Sequence, residues 1–175
     1  TYLALQSLGG AFGEHGIGFR LYTWIPAGDL QVEVGFLLDN LTALMLIVVT
    51  WIGALVHVFS IGYMAHDPSK WRFFAYLNLF MFAMFVLILA DSYLLLFLGW
   101  EGVGLCSYLL ISFWFRKKSA SQAGKKAFIV NRVGDFGFTL AMFAIFVATG
   151  TLQFTGVFEA AENGEIGSSL MTWIC

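Results

Sequence analysis

The chain has 175 residues, 59% of them hydrophobic and only 11% charged, with a formal net charge of −2 and a mean hydropathy of +0.82. Soluble domains carry about 25% charged residues, so this composition excludes an ordinary water-soluble fold. Nine Lys and Arg against eleven Asp and Glu are too evenly balanced to imply a nucleic acid as partner.

Nineteen Phe, six Trp and six Tyr suit packed helices with aromatic belts at a membrane surface. The two cysteines, Cys106 and Cys175, make neither a disulfide framework nor a CxxC metal motif. No basic segment followed by a short apolar core marks a signal peptide. The chain starts without Met and stops at MTWIC, in what reads as the start of a further, truncated helix (171–175); the expectation is a fragment.

In chain order, residues 1–36 are Gly-rich and too polar to span a bilayer. Within them, two β-compatible runs (19–25 and 30–36) flank Pro26-Ala27-Gly28-Asp29, a turn signal that predicts a hairpin on the membrane surface. Four spanning helices follow, at about 39–64, 73–90, 92–115 and 124–148, each with roughly the 20 apolar residues that a core about 30 Å thick requires. Only the region of Asp91 separates the second from the third, so these two must form a tight antiparallel pair. Residues 149–170 read as a loop. The fold class expected is an all-α polytopic membrane protein with a short β-hairpin before its first span.

Basic residues set the orientation. Lys70 and Arg72 lie between the first two spans, and Arg116, Lys117, Lys118, Lys125 and Lys126 between the last two. The positive-inside rule puts these loops on the cytoplasmic side or its equivalent. The opposite loops agree, with Asp91 in one and Glu159, Glu162 and Glu165 in the other, and no Lys or Arg. The hairpin then belongs on the outer face.

Three charges lie deep inside the apolar spans, away from their ends. Glu101 lies near the middle of the third, where a central acidic residue costs roughly 2.5–3.5 kcal/mol to insert. Such a residue usually faces the bundle interior and serves ion or proton movement. Gly99, Gly102 and Cys106 share one face of that helix and let a neighbour approach closely. Close packing disfavours the charged carboxylate and a nearby cation favours it, so a Glu between the two can take up and release a proton. The plainer alternative is a polar contact that only joins two helices.

Arg132 and Asp135 are three residues apart on one face of the fourth span, with Asn131 able to share it. They read either as a pair that neutralises itself for insertion or as a pair that tunes a neighbouring carboxylate. Gly134, Gly137, Ala141 and Ala144 beside them form a packing seam. Lys125, with Lys126, is a snorkelling anchor or the point where protons come in. His57, deep in the first span, is a packing residue or a proton carrier, since imidazole titrates near neutrality. Asp39 and Asn40, beside Thr42, read as the cap of the first helix. Trp100 lies deeper than an aromatic belt and reads as packing.

The strings FLGWEGVGLCSYLLISFWF (97–115) and KKAFIVNRVGDFGF (125–138) closely resemble the largest antiporter-like membrane subunit of respiratory complex I, the proton-pumping NADH:quinone oxidoreductase. VGFLLDNLTALML and IGYMAHDP agree, so the resemblance runs from about Trp24 to Phe158. It implies an antiporter-like helix bundle in a bacterial inner or mitochondrial inner membrane, with other membrane-arm subunits and the lipid bilayer as partners. It also implies that Glu101 is the family's helix-borne glutamate, which pairs with a lysine on a later helix outside this chain, and that Arg132 and Asp135 are the charged pair of the helix that follows. NADH, FMN, iron–sulfur clusters and quinone are implied in partner subunits, with no cofactor and no redox site on this chain. The large subunit of multisubunit sodium/proton antiporters is the alternative, since it shares the glutamate-bearing helix.

Overall fold

The structure, a computed structural model, describes residues 16–27, 30–164 and 167. The further helix expected at 171–175 and the first fifteen residues of the N-terminal segment lie outside them.

Strand β1 (Ile17–Ala27) pairs antiparallel with β2 (Leu30–Leu38), from Ile17 opposite Leu38 to Ala27 opposite Leu30. Aromatic and β-branched residues fill both strands, as a pleated half-buried surface favours. The register slips between Arg20 and Tyr22 and again between Thr23 and Ile25, and such irregularities increase the ribbon's twist. Asp39 ends the ribbon and caps α1 (Asn40–Tyr63), its carboxylate accepting the Thr42 amide at 2.7 Å. Then come α2 (Lys70–Leu89), α3 (Tyr93–Ile111), α4 (Lys118–Thr149) and the short α5 (Phe154–Glu162). The first four are long and apolar enough to cross a membrane.

Helix ends differ from the hydropathy reading wherever polar residues decide them. α2 starts at Lys70 rather than 73, because Asp67 accepts the Ser69 amide at 2.7 Å beside Pro68 and launches the helix through its polar first turn. α3 stops at Ile111 rather than 115. There Trp114 leaves the helix axis to donate to Asp67 Oδ2 at 3.0 Å, and Phe113 turns inward to 6% exposure. α4 starts at Lys118 rather than 124, since Lys, Ser, Ala and Gln extend a helix without being apolar. It ends at Gly150, whose φ of 72° gives the left-handed cap that glycine adopts freely. The segment expected as a loop at 149–170 contains α5. Val157 and Ala160 of that helix pack on Ile145, Tyr93 and Leu152, which accounts for its forming.

The two ends of the bundle have different chemistry. At one end the hairpin meets the connections between helices. Phe36 bridges to Ala90 and Ser92 to Gln153, and Gln153 donates to Glu33 at 3.0 Å. At the other end Arg72 donates to the Phe113 carbonyl at 3.1 Å and lies over the Phe113 ring. The loop lysines and arginines gather there. Arg20 is a basic residue at the hairpin end, ion-paired with Glu33 at 3.0 Å. Between the ends most outward side chains are apolar, with Leu55 64%, Val133 73% and Val147 86% exposed, and Asn131 and Arg132 are the polar exceptions on α4. A surface this apolar belongs in hydrocarbon or against further helices.

α2 and α3 run antiparallel at very close range. A Cβ added to Gly99 would come within 2.5 Å of the Leu87 amide nitrogen, and one at Gly102 within 2.9 Å of the Ala83 Cβ. The molecule is an all-α membrane-spanning bundle with a two-stranded hairpin ahead of its first helix.

Candidate functional site

Glu101 stands eight residues from the start of α3 and ten from its end, about 12 and 15 Å along the axis at 1.5 Å per residue. It is therefore near mid-membrane. Small residues on α3 set the stage: Gly99 and Gly102 serve the α2 contact, which leaves Trp100 and Glu101 to reach toward α4. Because α3 and α4 are antiparallel, two successive residues of α3 engage two residues one turn apart on α4, in reverse order.

The Glu101 carboxylate accepts from Arg132 Nη1. The same Nη1 lies 3.6 Å from Asp135 Oδ2, too far for a direct hydrogen bond but within ion-pair range. Arg132 is also stacked over the Phe128 ring at 4.6 Å, which holds a guanidinium without fixing its partner. Asp135 is 6% exposed, and its Oδ1 accepts the Trp100 indole N–H at 2.8 Å. The result is one cation between two carboxylates, one from each helix, with a neutral donor on the second. At an effective dielectric of 20, two unit charges 4 Å apart interact by about 4 kcal/mol. At that range both carboxylates attract the Arg132 guanidinium.

Asp135 faces a cleft of about 240 Å³ lined by Trp100, Val130, Asn131, Gly134 and Phe138.

Glu101, Arg132 and Asp135 are thus brought together. Lys125 is not. It is exposed on α4 seven residues before Arg132, about 10 Å away along the axis. His57 is not either: its Nδ1 lies 2.7 Å from the Gly53 carbonyl and its ring centroid 6.3 Å from Phe74, between α1 and α2. Sequence reading missed Trp100, which it took as packing, and Phe128. A signal for the first existed, since a Trp at depth must find an acceptor for its indole N–H, and the nearest charge-bearing helix supplies one.

Two family models match the chain. One, described as the N-terminus of chain 5 of NADH-ubiquinone oxidoreductase (complex I), matches residues 24–74. The other, described as the transmembrane region of NADH:quinone oxidoreductase and the Mrp antiporter, matches residues 90–175. NADH-quinone oxidoreductase subunit L of Mycobacterium tuberculosis is 52% identical over 83% of this chain and 23% of its own length. NADH-ubiquinone oxidoreductase chain 5 of Rhizopus stolonifer is 49% identical over 83% of this chain and 22% of its own. The chain thus spans under a quarter of the length of these curated relatives. Among solved structures, the Mrp complex from Dietzia sp. DQ12-45-1b superposes with a TM-score of 0.74 at 22% identity, over 99% of this chain and 18% of that one. At that identity the likeness is one of fold, and the fold is antiporter-like. On the two family matches and relatives near 50% identity, the chain belongs to the subunit L/chain 5 family of membrane subunits of NADH:quinone oxidoreductase.

Proposed function

We propose that this chain is part of a proton-translocating membrane-arm subunit of complex I, and that proton transfer coupled to quinone reduction passes through the Glu101–Arg132–Asp135 cluster. The observation that carries this reading is Arg132, held at mid-membrane between carboxylates of two helices. When a proton neutralises Glu101, the guanidinium loses its partner there and Asp135 Oδ2, at 3.6 Å, becomes the better one. When Glu101 gives the proton up, the attraction reverses. A single side-chain movement then links a proton on α3 to a charge on α4, with no covalent chemistry on this chain.

NADH, FMN, the iron–sulfur clusters and quinone belong, on this reading, to partner subunits. The cluster's work is carried out with other membrane-arm subunits, in a bacterial inner membrane or a mitochondrial inner membrane. Lys125 and His57 stand one step further off. Lys125 fits a place where protons reach α4 from the basic end, and His57 a carrier between α1 and α2.

The test is Glu101→Gln in the full-length subunit within its complex, which keeps the shape and removes the titratable charge. Assembly by native gel should be unchanged, while NADH-driven proton uptake in vesicles falls at least several-fold; general acid–base groups typically contribute about 10²–10⁴-fold. Glu101→Asp, one methylene shorter, should be milder. Wild-type turnover and proton stoichiometry in Glu101→Gln would exclude the cluster as the route. Sodium-dependent transport with no link to NADH would instead favour the antiporter reading.

A further inference from the structure

We infer that Trp100 is a positioning residue of this cluster: its indole N–H holds the Asp135 carboxylate in place, so that Arg132 is free to rest on Glu101. The inference rests on the proton-transfer reading above and adds a residue to it.

The geometry separates the two oxygens of Asp135. Oδ1 has a direct hydrogen bond from Trp100 Nε1 at 2.8 Å, whereas Oδ2 has Arg132 Nη1 at 3.6 Å, an attraction without a hydrogen bond. Among the described residues, the donor that meets this carboxylate at hydrogen-bond distance is therefore neutral, and the cation is committed to the other helix. A carboxylate exposed by only 6% needs such a donor. Left without one, it takes the nearest alternative, and the Arg132 guanidinium is already within ion-pair range.

Indole is suited to this position by what it lacks. Its nitrogen donates and does not accept, and it neither gains nor loses a proton near neutral pH. Trp100 can therefore fix Asp135 without competing for the transferred proton and without adding a charge that would draw Arg132 away. The neighbouring position matters as well. Trp100 and Glu101 are successive on α3, so any shift of that helix moves donor and proton acceptor together relative to α4. The register between Glu101–Arg132 and Trp100–Asp135 is thereby fixed by two bonds of opposite polarity across one helix crossing.

Removing the N–H should release Asp135 to recruit Arg132 and leave Glu101 without its cation. The experiment uses the full-length subunit in its intact complex, comparing Trp100→Phe, Trp100→His, Asp135→Asn and the Trp100→Phe/Asp135→Asn double variant, with Glu101→Gln alongside. Assembly is read by native gel, and coupling as protons taken up per NADH oxidised in vesicles. Trp100→Phe should assemble and lose at least roughly threefold in coupling, near the low end for the net contribution of one hydrogen bond. Trp100→His, which keeps a ring N–H, should recover at least half of that loss. Adding Trp100→Phe to Asp135→Asn should cost nothing more, because the group it positions is already gone.

Wild-type coupling in Trp100→Phe overturns the assignment. So do equal losses in the Phe and His variants, full additivity with Asp135→Asn, or failure of both Trp100 variants to assemble, each of which makes Trp100 a packing residue. If Glu101→Gln is impaired and Trp100→Phe is not, only this assignment falls. If Glu101→Gln is also normal, the proton-transfer reading itself falls.

Discussion

Asp91 lies in the short connection between α2 and α3, where the hairpin, that connection and the start of α5 all meet. Its backbone carbonyl accepts the Phe154 amide at 3.1 Å, and its carboxylate sits beside Gly35 so closely that no side chain could stand there. Burial pushes the Asp91 carboxyl above the usual carboxylate value of 3.8, against smaller opposing contributions from nearby hydrogen bonds and Arg20. A carboxyl whose folded value is raised favours the folded contact in its protonated form. The contribution is complete below the ordinary value and is lost as pH rises through the raised one. Hydrogen exchange at the β2 amides around Gly35 should therefore quicken as pH rises above about 4, once corrected for the intrinsic pH dependence of exchange. Asp91→Asn should remove that dependence. An unchanged pH profile in Asp91→Asn would show that another group controls the clasp. Residue by residue, Glu101, Arg132 and Asp135 stood out in the sequence because a charge in an apolar run is costly and demands a reason. Trp100 did not, because an aromatic residue in such a run needs none, and its partner lies 35 positions further on.

Among the elements, the four spans were legible from length and apolar content, which the bilayer thickness fixes within a few residues. Their ends were not, because polar caps and turns decide those. The Ser69 amide bonding to Asp67, the turn at Phe113–Trp114 and the polar opening of α4 carry no hydropathy signal. The missed α5 had a signal in the i, i+3 spacing of Val157 and Ala160, though nine residues are short for a helix to announce itself. The close α2–α3 pair was legible twice, in the brief connection at Asp91 and in the glycines of α3. Gly99 shows how narrow that contact is, since the atoms a new methyl would strike are backbone, the Leu87 amide nitrogen at 2.5 Å and its Cα at 2.6 Å. Neither can rotate away. Gly99→Ala should push α3 off α2 and destabilise the fold by about 1–3 kcal/mol, the usual range for overpacking. Gly104, which has nothing within 4 Å of the corresponding position, is the control, and Gly104→Ala should be tolerated. Thermal aggregation of the detergent-solubilised complex compares the two. Equal behaviour would mean that α2 and α3 can separate without cost.

Across the whole molecule, sidedness follows from where charge is allowed. α4 has 32 residues, about 48 Å at 1.5 Å per residue, against a hydrocarbon core about 30 Å thick. Its surplus is at the start, where Lys118, Lys125 and Lys126 occupy the first turns and can reach the headgroups along their own stems. The same end holds Lys70, Arg72, Arg116 and Lys117, whereas Arg20 at the hairpin end is tied to Glu33. Anchoring by these residues predicts that Ser119 and Asn163 lie on opposite sides of the membrane. Both are exposed, at the start of α4 and just beyond α5. Single cysteines at these positions, in a full-length subunit otherwise free of cysteine and therefore lacking Cys106 and Cys175, should react with an impermeant maleimide from different faces. Ser119→Cys should label from the cytoplasmic side or its equivalent and Asn163→Cys from the outer side. Labelling of both from one side would break the four-span topology. Labelling from opposite sides in the reverse sense would keep the fold but invert it, and the clasp at Asp91 would then lie on the cytoplasmic side or its equivalent.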